Sequence, residues 1–346
     1  MGLVGTVREI LRQHGLLGSG EAVSLIVGKG RQGFRGNVVF WVFTGSAPHP
    51  AFWGKTSRTK EGNPWLESEY KTLTELGASP LRPFVPAVHA LGEWQGRKVL
   101  IEEFVRNDNE LSLTYNSDLD FPRDRSFRSI DEFLWSLASL PVGGAGDAAF
   151  SWTGLRRSFR ELHTASDKQE EALDGLDAFW KKHASARCYQ HGDLWRTHVL
   201  RTGARGIKVI DWEFSRSNGF PISDAFQLFL SMAIDRYRIQ LSTDDYLTAI
   251  RQVAEGRDEF SRYVQSQYRR LAERAMPGEH VIRELLLTHL IFESIRDHAM
   301  LLDCSRDGYL SIPPSREAGG MTYAEVIKRN RYYTAFQGVV AGDYFA

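Results

Sequence analysis

CYQHGDLWRTHVLRTGARGIKVIDWEFSRSNGFPISDAF, from Cys188 to Phe226, is the stretch on which the fold turns. His191, Gly192 and Asp193 open a polar turn, Val199 and Leu200 begin a β-type run, RTGARG makes a tight turn, and KVIDWE closes a second run on Asp211. Together they read as a small hairpin with an acid at each end. Taken singly, Asp193 or Asp211 is an ordinary turn-forming or capping aspartate. Delivered as a pair, they suit phosphoryl transfer. That reaction asks for an acid that orients or deprotonates the acceptor hydroxyl, and for metal ions that neutralise the triphosphate.

Upstream, between Ala22 and Arg106, short β-type runs dominate: VSLIVG, NVVFWVF, AFWGKTS and KVLIEEFV. Gly30, Gly33 and Gly36 punctuate the first turn, and Gly45, Pro48 and Pro50 the second, so the first three strands are expected as consecutive hairpins. PWLESEYKTLTELG interrupts them with helical spacing, Pro64 at its start and Gly77 at its end. The expectation is one antiparallel sheet of five strands with one inserted helix. From Ser129 onward the text turns to amphipathic helices: IDEFLWSLASL, a stretch near Ser166 to His183, DAFQLFLSMAIDRYRIQL, and VIRELLLTHLIFESIRDHAMLL. Asn107 to Arg128, polar and turn-rich, reads as a connector or a flap over substrate. The fold class is α+β, with an N-terminal lobe over 1–106 and a mainly helical lobe over 107–346.

At 346 residues and 42% hydrophobic, the chain can bury the cores of about two domains. Lys plus Arg and Asp plus Glu are each 43, so no global field favours nucleic acid or an anionic membrane surface, and a small partner is expected. Two cysteines, Cys188 and Cys304, are too few for a disulfide framework and have no metal-ligand spacing, which suits a reducing cytoplasm. No apolar run approaches a membrane span. Gly2 and Thr6 satisfy a short myristoylation consensus, but Val4, Val7, Ile10 and Leu11 share one helical face and favour a packed helix.

HGDLWRTHVL, followed eighteen residues after Asp193 by IDWE, resembles the catalytic and metal-binding loops of the aminoglycoside phosphotransferase and choline kinase superfamily, which has a protein-kinase-like two-lobed fold. The resemblance implies that Asp193 is the catalytic base and that Asp211 holds the metal of ATP or GTP, Mg²⁺ or Mn²⁺. It implies that Asp224, in ISDAF, braces the catalytic loop beside His191. It extends upstream to Lys55, placed to grip the α- and β-phosphates, and to Glu69, its ion-pair partner. Gly28, Gly30 and Gly33 spell G-x-G-x-x-G, with Gly36 close behind. Because a strand follows them and no helix does, a phosphate-covering hairpin fits where a Rossmann site does not. The backbone around Glu103 to Val105 matches the hinge that would bond the nucleobase.

The chain departs from the pattern at His198, where the family commonly carries an Asn that binds the second metal. Imidazole is a poor first choice for Mg²⁺ and suits Mn²⁺ or Zn²⁺ better. Macrolide phosphotransferases and lipopolysaccharide core-sugar kinases also carry histidine there. Trp195 reads as a packing residue beside the loop. Beyond Phe214 the charges are nearly balanced, without the acidic excess that would hold a polycation. The expected activity is therefore transfer of a γ-phosphoryl group to a hydroxyl of an antibiotic, sugar or related metabolite, with antibiotic resistance as one setting. A cell-envelope carbohydrate kinase and a nucleotide-binding pseudokinase are the alternatives.

Overall fold

A computed structural model describes residues 1–28, 36–106, 125–141, 150–202, 206–306, 317–318, 321–322, 330–342 and 344–345. In chain order the first half carries α1 (Leu3–Gln13), β1 (Val23–Val27), β2 (Asn37–Thr44), β3 (Phe52–Ser57), α2 (Asn63–Gly77), β4 (Val88–Trp94), β5 (Arg97–Glu103), α3 (Arg125–Leu137) and α4 (Trp152–Leu162). There follow α5 (Asp167–Lys182), β6 (Cys188–Gln190), β7 (Val199–Thr202), β8 (Gly206–Val209), β9 (Arg216–Gly219), α6 (Ser223–Arg236), α7 (Asp245–Glu255), α8 (Glu259–Ala275), α9 (Ile282–Arg306) and α10 (Arg331–Ala341). The described residues divide into two compact units. One is drawn from Met1–Glu110, His198–Ser215 and Asp303–Pro313, the other from Leu111–Thr197, Arg216–Leu302 and Pro314–Ala346.

In the first unit the five strands form one antiparallel sheet in the order β1-β2-β3-β5-β4. Its fifth strand, VHALGEW, carries little β-branched signal and was not among the runs that the sequence marked out. Val7, Ile10 and Leu11 of α1 pack onto Val23, Phe40, Val42, Ala90, Val99 and Ile101, which explains the helix at the N-terminus; Val4 turns outward instead. Gly54 lies beneath the Phe40 ring, where an added Cβ would come within 2.1 Å of it, so β3 is held close to β2 just before Lys55. On α2, Leu66, Glu69, Leu73 and Leu76 recur at three- and four-residue spacing and are all buried, so an apolar stripe carries Glu69 inward. Asn63 fixes where that helix starts: its Oδ1 accepts from Ser57 Oγ at 2.6 Å and Lys98 N at 2.8 Å, and its Nδ2 donates to Gly96 O at 2.9 Å. The antiparallel hairpin β7–β8, with Val199 opposite Val209, belongs to this unit.

The second unit is helical, with two short antiparallel pairs among its described residues, β6–β9 and Glu317–Ala318 with Met321–Thr322. At its centre α6 is buried on every side from Ser223 to Ile234, which corrects the expectation of an amphipathic helix there. The helix also ends at Arg236, short of Leu241. Arg238 adopts φ 51°, Ile239 N donates to Ile234 O at 2.9 Å and Arg238 N to Asp235 O at 3.0 Å, a left-handed C-cap with no glycine to announce it. Among the described residues, no helix is long and apolar enough to cross a membrane.

Candidate active site

The first unit gathers charged side chains from separate segments around Lys55. Its ammonium, on β3, lies 2.7 Å from Glu69 Oε1, 2.5 Å from Asp211 Oδ1 and 3.8 Å from Glu102 Oε1 of β5. Lys55, Glu69 and Glu102 are all buried. Burial works against the ammonium charge, but Asp211, Glu69 and Glu102 outweigh it and raise Lys55 well above its ordinary value. With one cation facing three carboxylates, desolvation raises Glu102, and its Oε1 has no hydrogen-bond partner.

Asp211 follows β8 with φ 64° and ψ 60°, a left-handed conformation uncommon for a residue with a side chain. The next residues hold it there. Trp212 N donates to Glu69 Oε1 at 3.0 Å, and the buried Trp212 indole donates to Val209 O at 2.8 Å. Glu69 thereby ties β3, α2 and the turn after β8 together. His198, at the head of β7, has Nε2 3.5 Å from Asp211 Oδ2, and its carbonyl accepts from Ile210 N at 2.9 Å. Asn37 Nδ2 approaches Glu213 Oε2 at 3.4 Å.

Lys55, Glu102 and Asp211, with Asn37 and Glu213, line a cavity of about 590 Å³, whose walls also include Trp41, Trp53, Glu103, Phe104, Val105, Leu200 and Ile210. An apolar slot that ends on a fixed ammonium is suited to a flat heterocycle with an anionic tail. Glu103 N donates to Ala87 O at 2.7 Å, and its side chain accepts from Ala87 N at 2.9 Å and Lys208 Nζ at 3.3 Å. Lys208 also donates to Val85 O at 2.6 Å, so the β7–β8 hairpin is fastened to the end of β5. Gly36, just before β2, accepts from Arg58 N at 3.0 Å, while Gly30 and Gly33 lie outside the described residues. Of the segment read as a flap, 107–124 also lies outside them, and 125–128 opens α3.

The second unit builds the loop of Asp193. Asp224, in the first turn of α6, accepts His191 N at 2.7 Å and Gly192 N at 3.0 Å, one on each carboxylate oxygen. Burial pushes Asp224 up to about 6 against the pull of those two amides. Gly192 has φ 81°, so the loop turns where glycine bears no steric cost. His191 Nδ1 accepts Asp193 N at 3.2 Å, and Arg196 N donates to Ser231 Oγ at 3.1 Å, which anchors the far side of the loop to α6.

Two donors converge on Asp193 Oδ1: the Trp195 indole at 3.1 Å and Arg296 Nη2 of α9 at 2.9 Å. Trp195 thus does more than pack. Arg296 also donates to Gly192 O and pairs with Glu293 at 2.6 Å. Burial pushes Glu293 up to about 7, helped by the neighbouring Asp193 and Asp224 carboxylates and opposed by Arg296 and Arg216. Sequence reasoning missed both residues. The available signal was an oppositely charged pair three residues apart that follows the apolar run of LLLTHLIFESIRDH. Cys188 is buried, its thiol pushed up by burial and donating to Phe220 O at 3.3 Å.

Residues 54–273 match the phosphotransferase enzyme family. Among solved structures, the GDP complex of an aminoglycoside 2'-phosphotransferase-IIIa aligns over 96% of this chain and 100% of its own, with a TM-score of 0.56 at 14% identity. Aminoglycoside phosphotransferase APH(4)-Ia, as a ternary complex with ADP and hygromycin B, covers 96% and 97% with a TM-score of 0.53 at 13% identity. An ethanolamine kinase from Plasmodium vivax covers 92% and 83% with a TM-score of 0.51 at 13% identity. These likenesses establish a kinase-like fold. No curated protein matches the chain in sequence.

Proposed function

The chain belongs to the phosphotransferase enzyme family, and from that premise we propose that it is a small-molecule kinase moving the γ-phosphoryl group of ATP or GTP onto a hydroxyl of an antibiotic, sugar or related metabolite. The observation that carries the proposal is the Lys55 ammonium, held by Glu69 and Asp211 in the wall of an apolar cavity. Two of the similar structures hold GDP or ADP, which favours a nucleotide in that cavity.

In this mechanism the cavity takes the base, with backbone groups from Glu103 to Val105 at its edge, and Gly36 belongs to the turn over the phosphates. Lys55 binds the phosphate oxygens as a point charge, kept from rotating by Glu69. Asp211 and His198 suit a divalent ion. They offer one carboxylate and one imidazole 3.5 Å apart, and no group of three or more acids, histidines or cysteines forms a closed cage among the described residues. Such a partial set would hold a divalent ion that takes its remaining ligands from phosphates and water, with the imidazole favouring Mn²⁺ over Mg²⁺, and the ion would supply charge neutralisation on the triphosphate.

Asp193 orients the acceptor hydroxyl and takes its proton as the phosphoryl group moves in line. Asp224 and His191 keep the Asp193 loop in shape. The test is nucleotide binding with Mg²⁺ or Mn²⁺, then transfer to a panel of macrolides, aminoglycosides, sugars and amino alcohols, with wild type beside Asp193→Asn. Saturable binding in both and transfer only in wild type is the expected result. Equal transfer by Asp193→Asn sinks the assignment, and binding without turnover in either makes the chain a nucleotide-binding module.

A further inference from the structure

We infer that Arg296 of α9 is a positioning residue for the reaction, the group that sets the direction in which the Asp193 carboxylate points. The inference rests on the reading of Asp193 as the residue that handles the acceptor hydroxyl. Its basis is the double hold of one guanidinium on two consecutive residues. Arg296 donates to the backbone carbonyl of Gly192 and, through Nη2 at 2.9 Å, to Oδ1 of Asp193. A planar fork that grips the backbone before a carboxylate and the carboxylate itself fixes the side-chain torsions between them; an ammonium at the same place would be a point charge with no such geometry. The Trp195 indole, at 3.1 Å from the same Oδ1, gives the carboxylate a second fixed donor.

The surroundings keep Arg296 itself still. Glu293, one turn earlier on α9, pairs with it at 2.6 Å, and the guanidinium is mostly buried. Trp195 in turn lies under the guanidinium of Arg331, whose Cζ is 4.9 Å from its ring, and faces Tyr246 edge-on at 6.1 Å. Both donors to Asp193 are therefore braced by α7, α9 and α10, elements outside the HGD loop.

A carboxylate held in one direction suits phosphoryl transfer through a loose transition state, where the acceptor proton leaves late and the aim of the hydroxyl matters most. A purely structural Arg296–Glu293 pair would have no need to reach Gly192 and Asp193.

The test measures kcat and nucleotide KM in Arg296→Gln, Arg296→Lys and Trp195→Phe, beside wild type and Asp193→Asn. Arg296→Gln should lower kcat roughly 10- to 100-fold with nucleotide KM within about twofold. Arg296→Lys, which keeps the charge and loses the fork, should leave kcat reduced as well, separating charge from fork geometry. Trp195→Phe should lower kcat by a smaller factor with the fold intact. Wild-type kcat in Arg296→Gln would overturn the inference while Asp193→Asn remained inactive. So would loss of folding in both Arg296 variants combined with wild-type kcat in Trp195→Phe. Turnover in Asp193→Asn equal to wild type overturns the underlying assignment instead.

Discussion

Lys55 Nζ lies 2.5 Å from Asp211 Oδ1, although 156 residues separate the two along the chain. The contact joins the group proposed to hold phosphate to the one proposed to hold metal. With Glu69 at 2.7 Å on the other side, the ammonium is fixed between two anions, so its direction is set by the fold.

Removing that cation should be costly twice over. Lys55→Met leaves Glu69, Glu102 and Asp211 facing each other without a counter-charge, and stability should fall by roughly 3–5 kcal/mol, read by urea unfolding. Nucleotide affinity, read by calorimetry at a temperature where the variant is folded, should drop more than tenfold. Tight binding by Lys55→Met would separate the lysine from the nucleotide.

Glu102 is the carboxylate in surplus. Its Oε1 is buried without a hydrogen-bond partner and it stands farthest from Lys55, at 3.8 Å. Glu102→Gln should therefore raise the stability of the nucleotide-free protein by about 1–3 kcal/mol, visible as a higher melting temperature at pH 8. A lower melting temperature would mean that Lys55 needs all three anions.

Asp224 accepts two loop amides with its two oxygens, and an amide side chain has only one oxygen. Asp224→Asn should leave one of His191 N and Gly192 N facing an NH₂ group, at a cost of about 1–3 kcal/mol. Turnover should fall with it, while nucleotide affinity, measured directly, stays near the wild-type value.

His163 gives a pH signature. It is buried between Phe159 and Tyr333, stacked on the latter at 3.9 Å, and neither ring nitrogen has a hydrogen-bond partner. Burial, with His298 adding to it, holds the imidazole at about 4, below the usual 6.5. The fold favours the neutral ring, so its contribution to stability is complete above 6.5 and is lost as the pH falls from there towards 4. His163→Phe should keep the stacking and flatten the decline in melting temperature between pH 6.5 and 4.5. An unchanged slope would place the acid sensitivity elsewhere, with the deeply buried His289, held at about 3, as the next residue to substitute.

Much of this was legible because the residues concerned sit where local patterns are strong. HGD and IDWE stand at turns flanked by β-type runs, and Lys55 and Glu69 sit inside runs whose periodicity marks strand and helix. Glu69 could be placed on the inner face of α2 from Leu66, Leu73 and Leu76 alone. What stayed hidden depends on distant packing. Arg296 and Glu293 look like solvated charges until α9 is seen to be buried around them, and Glu102 reads as one more strand residue until three anions are found to share one cation. The end of α6 escaped because an arginine, Arg238, takes the left-handed position that glycine usually fills.

The first unit is assembled from pieces that leave the ribosome at different times. Its five-stranded sheet is complete at Glu103, but the hairpin that brings His198 and Asp211 to Lys55 is made only after the intervening chain. At roughly 5–20 residues per second, that interval is on the order of ten seconds, during which Lys55 has Glu69 and Glu102 as partners and lacks Asp211. The nucleotide-sized cavity, which needs Leu200, Ile210 and Asp211 for part of its wall, is therefore a late product of translation, and a nascent chain halted before Asp211 would carry the sheet without it.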